Sequence, residues 1–97
     1  MKLFVGIDVS SEKLDVCFLT DDNQLSILSE ISVANDIEGA SFIRETILEF
    51  NNSYHFDQIV ITISSNTAMQ LSDIFESFTD KPTRKLLATK RLKILFG

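Results

Sequence analysis

The stretch Lys2-Leu3-Phe4-Val5-Gly6-Ile7-Asp8-Val9 opens the chain and decides the fold. Its nearly continuous apolar character is typical of a strand that is covered on both faces, and so of a central strand. Asp8 is the exception, because a carboxylate in such a strand costs free energy unless a cation, a metal or hydrogen-bond donors offset its charge. The alternative is that Asp8 lies at the end of the strand and begins the turn at Ser10-Ser11.

Three further strands are expected from the pattern of apolar residues, at about 14–20, 25–33 and 58–63. The third strand alternates Leu25 and Ile27, then Ile31 and Val33, with polar residues, which predicts one solvated face. The strand over 58–63 is apolar nearly throughout, which predicts a second central strand.

Two helices are expected from caps and helical spacing. Asn35 is the predicted N-cap of the first helix, with Glu38 completing a capping box, and this helix should end near Phe50. A second helix should begin after Ser65 or Asn66 and end before Pro82. Its apolar stripe is Leu71, Ile74, Phe75 and Phe78.

The predicted element order is therefore β-β-β-α-β-α, an α/β chain with a mixed sheet. A right-handed crossover through the first helix should place the fourth strand parallel to a strand already in the sheet, most plausibly the first. This is the order of a ribonuclease-H-like fold, in an incomplete form. In such a sheet Asp8 faces the residues that directly follow the fourth strand.

Length and composition favour one small globular domain: the chain has 97 residues, of which 44% are hydrophobic. Its one cysteine, Cys17, lies in a predicted strand and is expected to be a buried, inert thiol. The chain has neither a stretch typical of a signal peptide nor an apolar run that approaches a membrane span, so a cytoplasmic protein without a membrane partner is expected.

Charge divides the chain in two. Residues 1–80 hold 14 acidic and three basic residues, a net charge of −11, whereas residues 81–97 hold six basic and no acidic residues. We expect a body over 1–80 and a basic tail over 81–97 that adds little to the fold. The alternative is that the apolar residues of the tail form a loose strand or helix on the sheet edge. Within the tail, the candidate contacts to nucleic-acid phosphates are Arg84, Lys85, Lys90 and Arg91.

Residues Val5-Gly6-Ile7-Asp8-Val9-Ser10, followed by Lys13-Leu14-Asp15-Val16, resemble the opening of the DEDD-motif transposases of bacterial insertion sequences, relatives of the Piv DNA invertases. The first helix and the apolar strand over 59–63 fit the same pattern, so the resemblance covers about residues 2–63. It implies an amino-terminal RuvC-like domain, in which four acidic residues hold Mg²⁺ for DNA strand chemistry. It also implies DNA and a guide RNA as partners, and a separate downstream domain with a nucleophilic serine.

Of the four acidic positions, only the first is carried over, onto Asp8, as a catalytic and metal-binding residue. The second should be a glutamate just after the fourth strand, where this chain has Ser64, or Ser65 after a one-residue shift. A serine hydroxyl is a poor substitute for an anionic ligand of a hard cation. The family's other two acidic positions lie beyond residue 97, so the resemblance predicts a truncated or degenerate transposase fragment, inactive alone, that binds no metal tightly.

Other readings of the same residues lead to different functions. Ser64 and Ser65 are expected to cap a helix rather than to act as nucleophiles, because the one histidine, His55, precedes the fourth strand. Asp15 could approach Asp8, although a role within its hairpin is favoured. The alternative to a transposase fragment is a non-catalytic nucleic-acid- or protein-binding module, and self-association into a homo-oligomer stays open for either.

Overall fold

The computed structural model describes residues 1–22, 26–64, 83–88 and 91–96. Its elements in chain order are β1 (Lys2–Val9), β2 (Lys13–Thr20), β3 (Ile27–Ala34), α1 (Ile37–Tyr54), β4 (Gln58–Ser64), β5 (Thr83–Ala88) and β6 (Arg91–Phe96). The expected second helix and its cap, residues 65–80, lie outside the described residues. None of the helices in the described residues is long and apolar enough to cross a membrane.

The strands form one mixed sheet in the order β3-β2-β1-β4-β6-β5. β1 is antiparallel to β2 and parallel to β4, which confirms the expected place of the fourth strand. β2 is antiparallel to β3 in turn. A small α/β fold with a mixed sheet is therefore correct, and β1 and β4 both lie in its interior.

One face of the sheet carries the hydrophobic core, which α1 covers. Leu3, Val5 and Ile7 of β1 are at most 3% exposed, and alternate residues of β2 and β4 are equally buried. The helix contributes Ala40, Ile43 and Ile47. Because side chains alternate across a strand, this pattern leaves the even-numbered residues of β1 on the opposite face.

The basic segment is part of this sheet, which corrects the expectation that it adds little to the fold. β6 pairs antiparallel with β4, with Ile94 opposite Ile61 and Phe96 opposite Ile59. Ile94 and Phe96 are fully buried in the core. β5 pairs with β6 and forms the edge of the sheet. The apolar residues of this segment allowed a loose strand or helix on the sheet edge, but β6 is an inner strand between β4 and β5.

The first helix begins one residue later than expected and ends later. The N-cap is Asp36, whose carboxylate accepts a hydrogen bond from the Gly39 amide at 2.7 Å. Asn35 instead donates its side-chain amide to the Ser10 carbonyl at 2.7 Å and so ties the helix entry to the β1–β2 turn. The helix continues past Phe50 to Tyr54, and His55 ends it in the left-handed conformation with φ 54°.

The expected alternation in β3 is wrong at its first half. Ile27 is 61% exposed, whereas Leu28 packs against the core beside Ile31 and Val33. The register shifts here, since Phe18 pairs with Ser29 and Leu19 with Ile27. A bulge of this kind reverses which residues face the core, and the sequence pattern alone does not reveal it.

Candidate acidic site on the open face of the sheet

Polar and acidic side chains gather on the sheet face opposite the core. We call this surface the acidic face. Its members are Gly6, Asp8, Asp15, Cys17, Glu30, Ser32 and Thr62. They lie on four neighbouring strands and line an open groove of about 820 Å³. The strand register places them in rows, one of which runs from Asp8 through Asp15 to Ser32.

Asp8 lies within β1 rather than in a turn. It is the penultimate residue of the strand, and its Cα partners are Asp15 on β2 and Ser64 on β4. The turn begins only at Ser10, whose amide donates to the Lys13 carbonyl at 3.0 Å. The expectation of a strand covered on both faces is wrong at this position, because Asp8 is exposed to solvent. The cost of burying a carboxylate therefore does not arise at this position.

Asp15 stands directly opposite Asp8, so two carboxylates share one row of the antiparallel pair β1–β2. Like charges in that arrangement repel each other and destabilise the pair. Lys13 offsets part of this repulsion, since its Nζ lies 3.7 Å from Asp15 Oδ2. The structure thus combines both roles considered for Asp15, a neighbour of Asp8 and a partner within its own hairpin.

The next row contains Gly6, Cys17 and Glu30. The Cys17 thiol lies 4.0 Å from Glu30 Oε1. Partial burial raises the pKa of the Cys17 thiol, and the negative charge of Glu30 raises it further. The thiol is therefore protonated at neutral pH. The expectation that Cys17 is buried is wrong, because it is only partly buried and lies on the acidic face.

Gly6 keeps this part of the groove open. A Cβ added at Gly6 would meet no atom of the described residues within 4 Å. A glycine in the interior of a strand costs stability relative to a residue with a side chain. Because Gly6 has no side chain, the groove beside Asp8 stays unfilled at this position of β1.

The described residues do not make a complete site for a divalent metal. Asp8 and Asp15 supply two adjacent carboxylates, but the described ranges contain no group of three or more metal-ligating side chains placed to hold an ion. Mg²⁺ prefers several oxygen ligands in near-octahedral geometry. The backbone register puts Ser64 beside Asp8, at the position where the resemblance predicts a glutamate.

The remaining candidates lie away from the acidic face. Arg84 and Lys85 are neighbours on the edge strand β5, and Arg91 lies on β6 opposite Ala88. Lys90 and Ser65 lie outside the described residues. His55 precedes β4 and Ser64 ends it, so a strand about 20 Å long separates a histidine from a serine.

Glu30 and Gly6 are members of the acidic face that sequence reasoning did not single out. The alternation of side chains along β1 and β3 assigns both residues to this face, but it can be applied only once the bulge in β3 and the strand register are known. Comparisons of this chain with protein-family models, with curated proteins and with solved structures find no match.

Proposed function

We propose that this chain is the amino-terminal, ribonuclease-H-like portion of a DEDD-motif insertion-sequence transposase, with an incomplete metal site. One observation carries the proposal: β1 lies between antiparallel β2 and parallel β4, and Asp8 is near its carboxyl end beside Ser64. This is the position at which the resemblance predicts the first acidic ligand. The reaction class is DNA transposition or recombination, and the activity belongs to the intact protein.

The chemistry expected of the family explains why this chain should be inactive alone. Paired divalent ions, when bound, stabilise the attacking and the leaving oxygens of a phosphodiester. In this chain Asp8 contributes one carboxylate to such a site, and Asp15 contributes charge from the next strand. Neither Asp8 nor Asp15 takes the place of the glutamate that the resemblance predicts at position 64, where this chain has a serine. We therefore expect weak Mg²⁺ or Mn²⁺ binding and no cleavage of DNA.

Restoring the missing carboxylate tests the proposal. Mn²⁺ binding is measured by calorimetry for the unmodified chain and for the variants Ser64→Glu and Asp8→Asn. Ser64→Glu should tighten binding about tenfold, which corresponds to about 1.4 kcal/mol, because it adds a carboxylate beside Asp8 on the side opposite Asp15. Asp8→Asn should abolish this gain when combined with Ser64→Glu.

Two controls make that experiment specific. Glu49→Gln removes an exposed carboxylate from the helix and should leave Mn²⁺ binding unchanged. Circular dichroism shows whether each variant keeps its fold. Equal Mn²⁺ affinity for Ser64→Glu and the unmodified chain would argue against a site between β1 and β4. Metal-dependent nicking of supercoiled DNA by the unmodified chain, lost in Asp8→Asn, would contradict the inactive-fragment proposal.

The alternative, a non-catalytic nucleic-acid-binding module, rests on the basic residues of two paired strands. Arg84 and Lys85 of β5 lie next to β6, which carries Arg91 and Lys93. Binding through at most six phosphate contacts should give a log–log salt slope near −5 on duplex DNA. Charge reversal of Arg84, Lys85, Lys90 and Arg91 should abolish such binding, whereas Asp8→Asn should not. Salt-insensitive binding that survives these changes would contradict this function.

A further inference from the structure

The two edges of the sheet carry opposite charge. β3 forms one edge and β5 the other. Residues 10–36, which contain the β2–β3 hairpin and its turns, hold six acidic residues and one basic residue. Residues 83–96, which contain β5 and β6, hold five basic residues and no acidic residue. The sheet therefore separates a net charge of −5 at one end from +5 at the other.

Each edge also offers backbone groups for pairing. Among the described residues, no strand pairs with the outer side of β3 or of β5. β3 is eight residues long and contains neither proline nor a basic residue, which commonly protect an edge strand from pairing. β5 carries Arg84 and Lys85, which disfavour pairing with another basic edge and so leave an acidic edge as its partner. Ile27 adds an apolar side chain that is 61% exposed on this edge.

We propose that copies of this chain associate head to tail, with β5 of one copy adding to β3 of the next. The occupant of each edge is thus a second copy of the chain. Charge complementarity selects this pairing over the two symmetric ones, because β3 against β3 brings like charges together, as does β5 against β5. Such a contact joins two different surfaces, so it produces rings or open chains of subunits rather than a closed two-fold dimer.

Glu30 is the charged residue of β3, and Arg84 and Lys85 are the charged residues of β5, so the proposal pairs strands of opposite charge. Glu30 is exposed, and it lies in the middle of its strand. Salt should weaken the association, because the Debye length falls from ~10 Å at 0.1 M to ~3 Å at 1 M ionic strength. The proposal does not depend on the transposase assignment, since it uses only the sheet edges and their charges.

Sedimentation velocity over a range of concentrations tests the association directly. At low ionic strength the apparent mass of the sedimenting species should rise with concentration from 11.0 kDa, the mass of one copy, to at least twice that value. At high ionic strength it should return to the mass of one copy. A mass of one copy at every concentration and ionic strength would overturn the proposal. A mass above that of one copy that stays the same at low and high ionic strength would also overturn it.

A charge swap then identifies the surfaces. Within the strands themselves, Glu30 is the charged residue of β3, and Arg84 and Lys85 are the charged residues of β5. Glu30→Lys therefore changes the charge of β3 from −1 to +1, and Arg84→Glu with Lys85→Glu changes that of β5 from +2 to −2. Each variant alone should stay at the mass of one copy, whereas an equimolar mixture should regain the large species, because each acidic edge again meets a basic one. Glu49→Gln, on the helix, serves as the control and should associate like the unmodified chain. If both single variants still associate, or if folded variants fail to associate when mixed, the edges are not the interface.

Discussion

Gly39 shows how tightly the start of the helix packs against the sheet. Sequence alone treats a glycine in the first turn of a helix as a small loss of helix propensity. In the structure a Cβ at this position would overlap the carbonyl oxygen of Ala34, the last residue of β3. The glycine is therefore required by the close approach of two backbones.

Gly39→Ala should accordingly destabilise the protein, although helix propensity predicts a gain of ~1 kcal/mol. We expect a loss of about 1–3 kcal/mol, the usual cost of forcing atoms into a packed site. Urea unfolding followed by circular dichroism measures the difference. Glu49→Ala, at an exposed position of the same helix, is the control and should change stability little. A more stable Gly39→Ala variant would show that the helix can move away from Ala34.

Cys17 provides a prediction that depends on pH. Because partial burial and then Glu30 raise the pKa of its thiol, alkylation by iodoacetamide should reach half its maximal rate at a higher pH in the folded chain than in urea. As pH rises, the unfolded chain loses this proton first, so the folded state loses stability above the ordinary thiol pKa.

The matched variant for this measurement is Glu30→Gln, which removes the charge and keeps the shape. The alkylation midpoint should fall part of the way toward its value in urea, because burial, the larger cause, remains. An equal midpoint in folded and unfolded chains would show that Cys17 is not shielded by its surroundings.

At the scale of elements, the helix is capped by Asp36 rather than by the predicted N-cap, Asn35. Asn35 and Asp36 are adjacent and are both common N-caps. The structure gives the capping hydrogen bond to Asp36 and uses Asn35 to hold the Ser10 carbonyl. Which of the two residues caps the helix depends on long-range packing against the β1–β2 turn. The spacing of residues in the sequence contains no information about that packing.

Asp36→Ala should therefore lower stability by about 1 kcal/mol through the loss of the cap. Asn35→Ala should lower it by a similar or smaller amount, but through the turn rather than the helix. Amide hydrogen exchange distinguishes the two, since only Asp36→Ala should speed exchange at Gly39 and Ala40. If these amides exchanged faster only in Asn35→Ala, Asn35 rather than Asp36 would be the N-cap.

Sequence patterns predicted the strands β1, β2 and β4 closely, because continuous apolar runs and regular alternation identify buried strands. They did not predict the bulge that reverses Ile27 and Leu28, since a bulge depends on pairing with β2. The place of Asp8 within β1 was predicted, but its exposure was not. Whether one face of the sheet is covered depends on which elements pack against it. The order of residues within a single strand contains no information about those elements.

At the scale of the whole molecule, β6 decides whether the chain has one core or a core and a tail. Ile94 and Phe96 are fully buried against β4, so the segment with the positive charge also holds part of the core. Burying one large apolar side chain contributes about 1.5–3 kcal/mol. Small domains have only about 5–15 kcal/mol of net stability, so two such residues are a substantial part of it.

The most direct test of this arrangement is urea unfolding of Phe96→Ala beside Lys93→Ala. Phe96 is fully buried, and Lys93 is an exposed residue of the same strand. If β6 completes the sheet, Phe96→Ala should lose about 3–5 kcal/mol, whereas Lys93→Ala should stay within ~0.5 kcal/mol of the unmodified chain. Equal unfolding midpoints for Phe96→Ala, Lys93→Ala and the unmodified chain would contradict the account, because the basic segment would then lie outside the core.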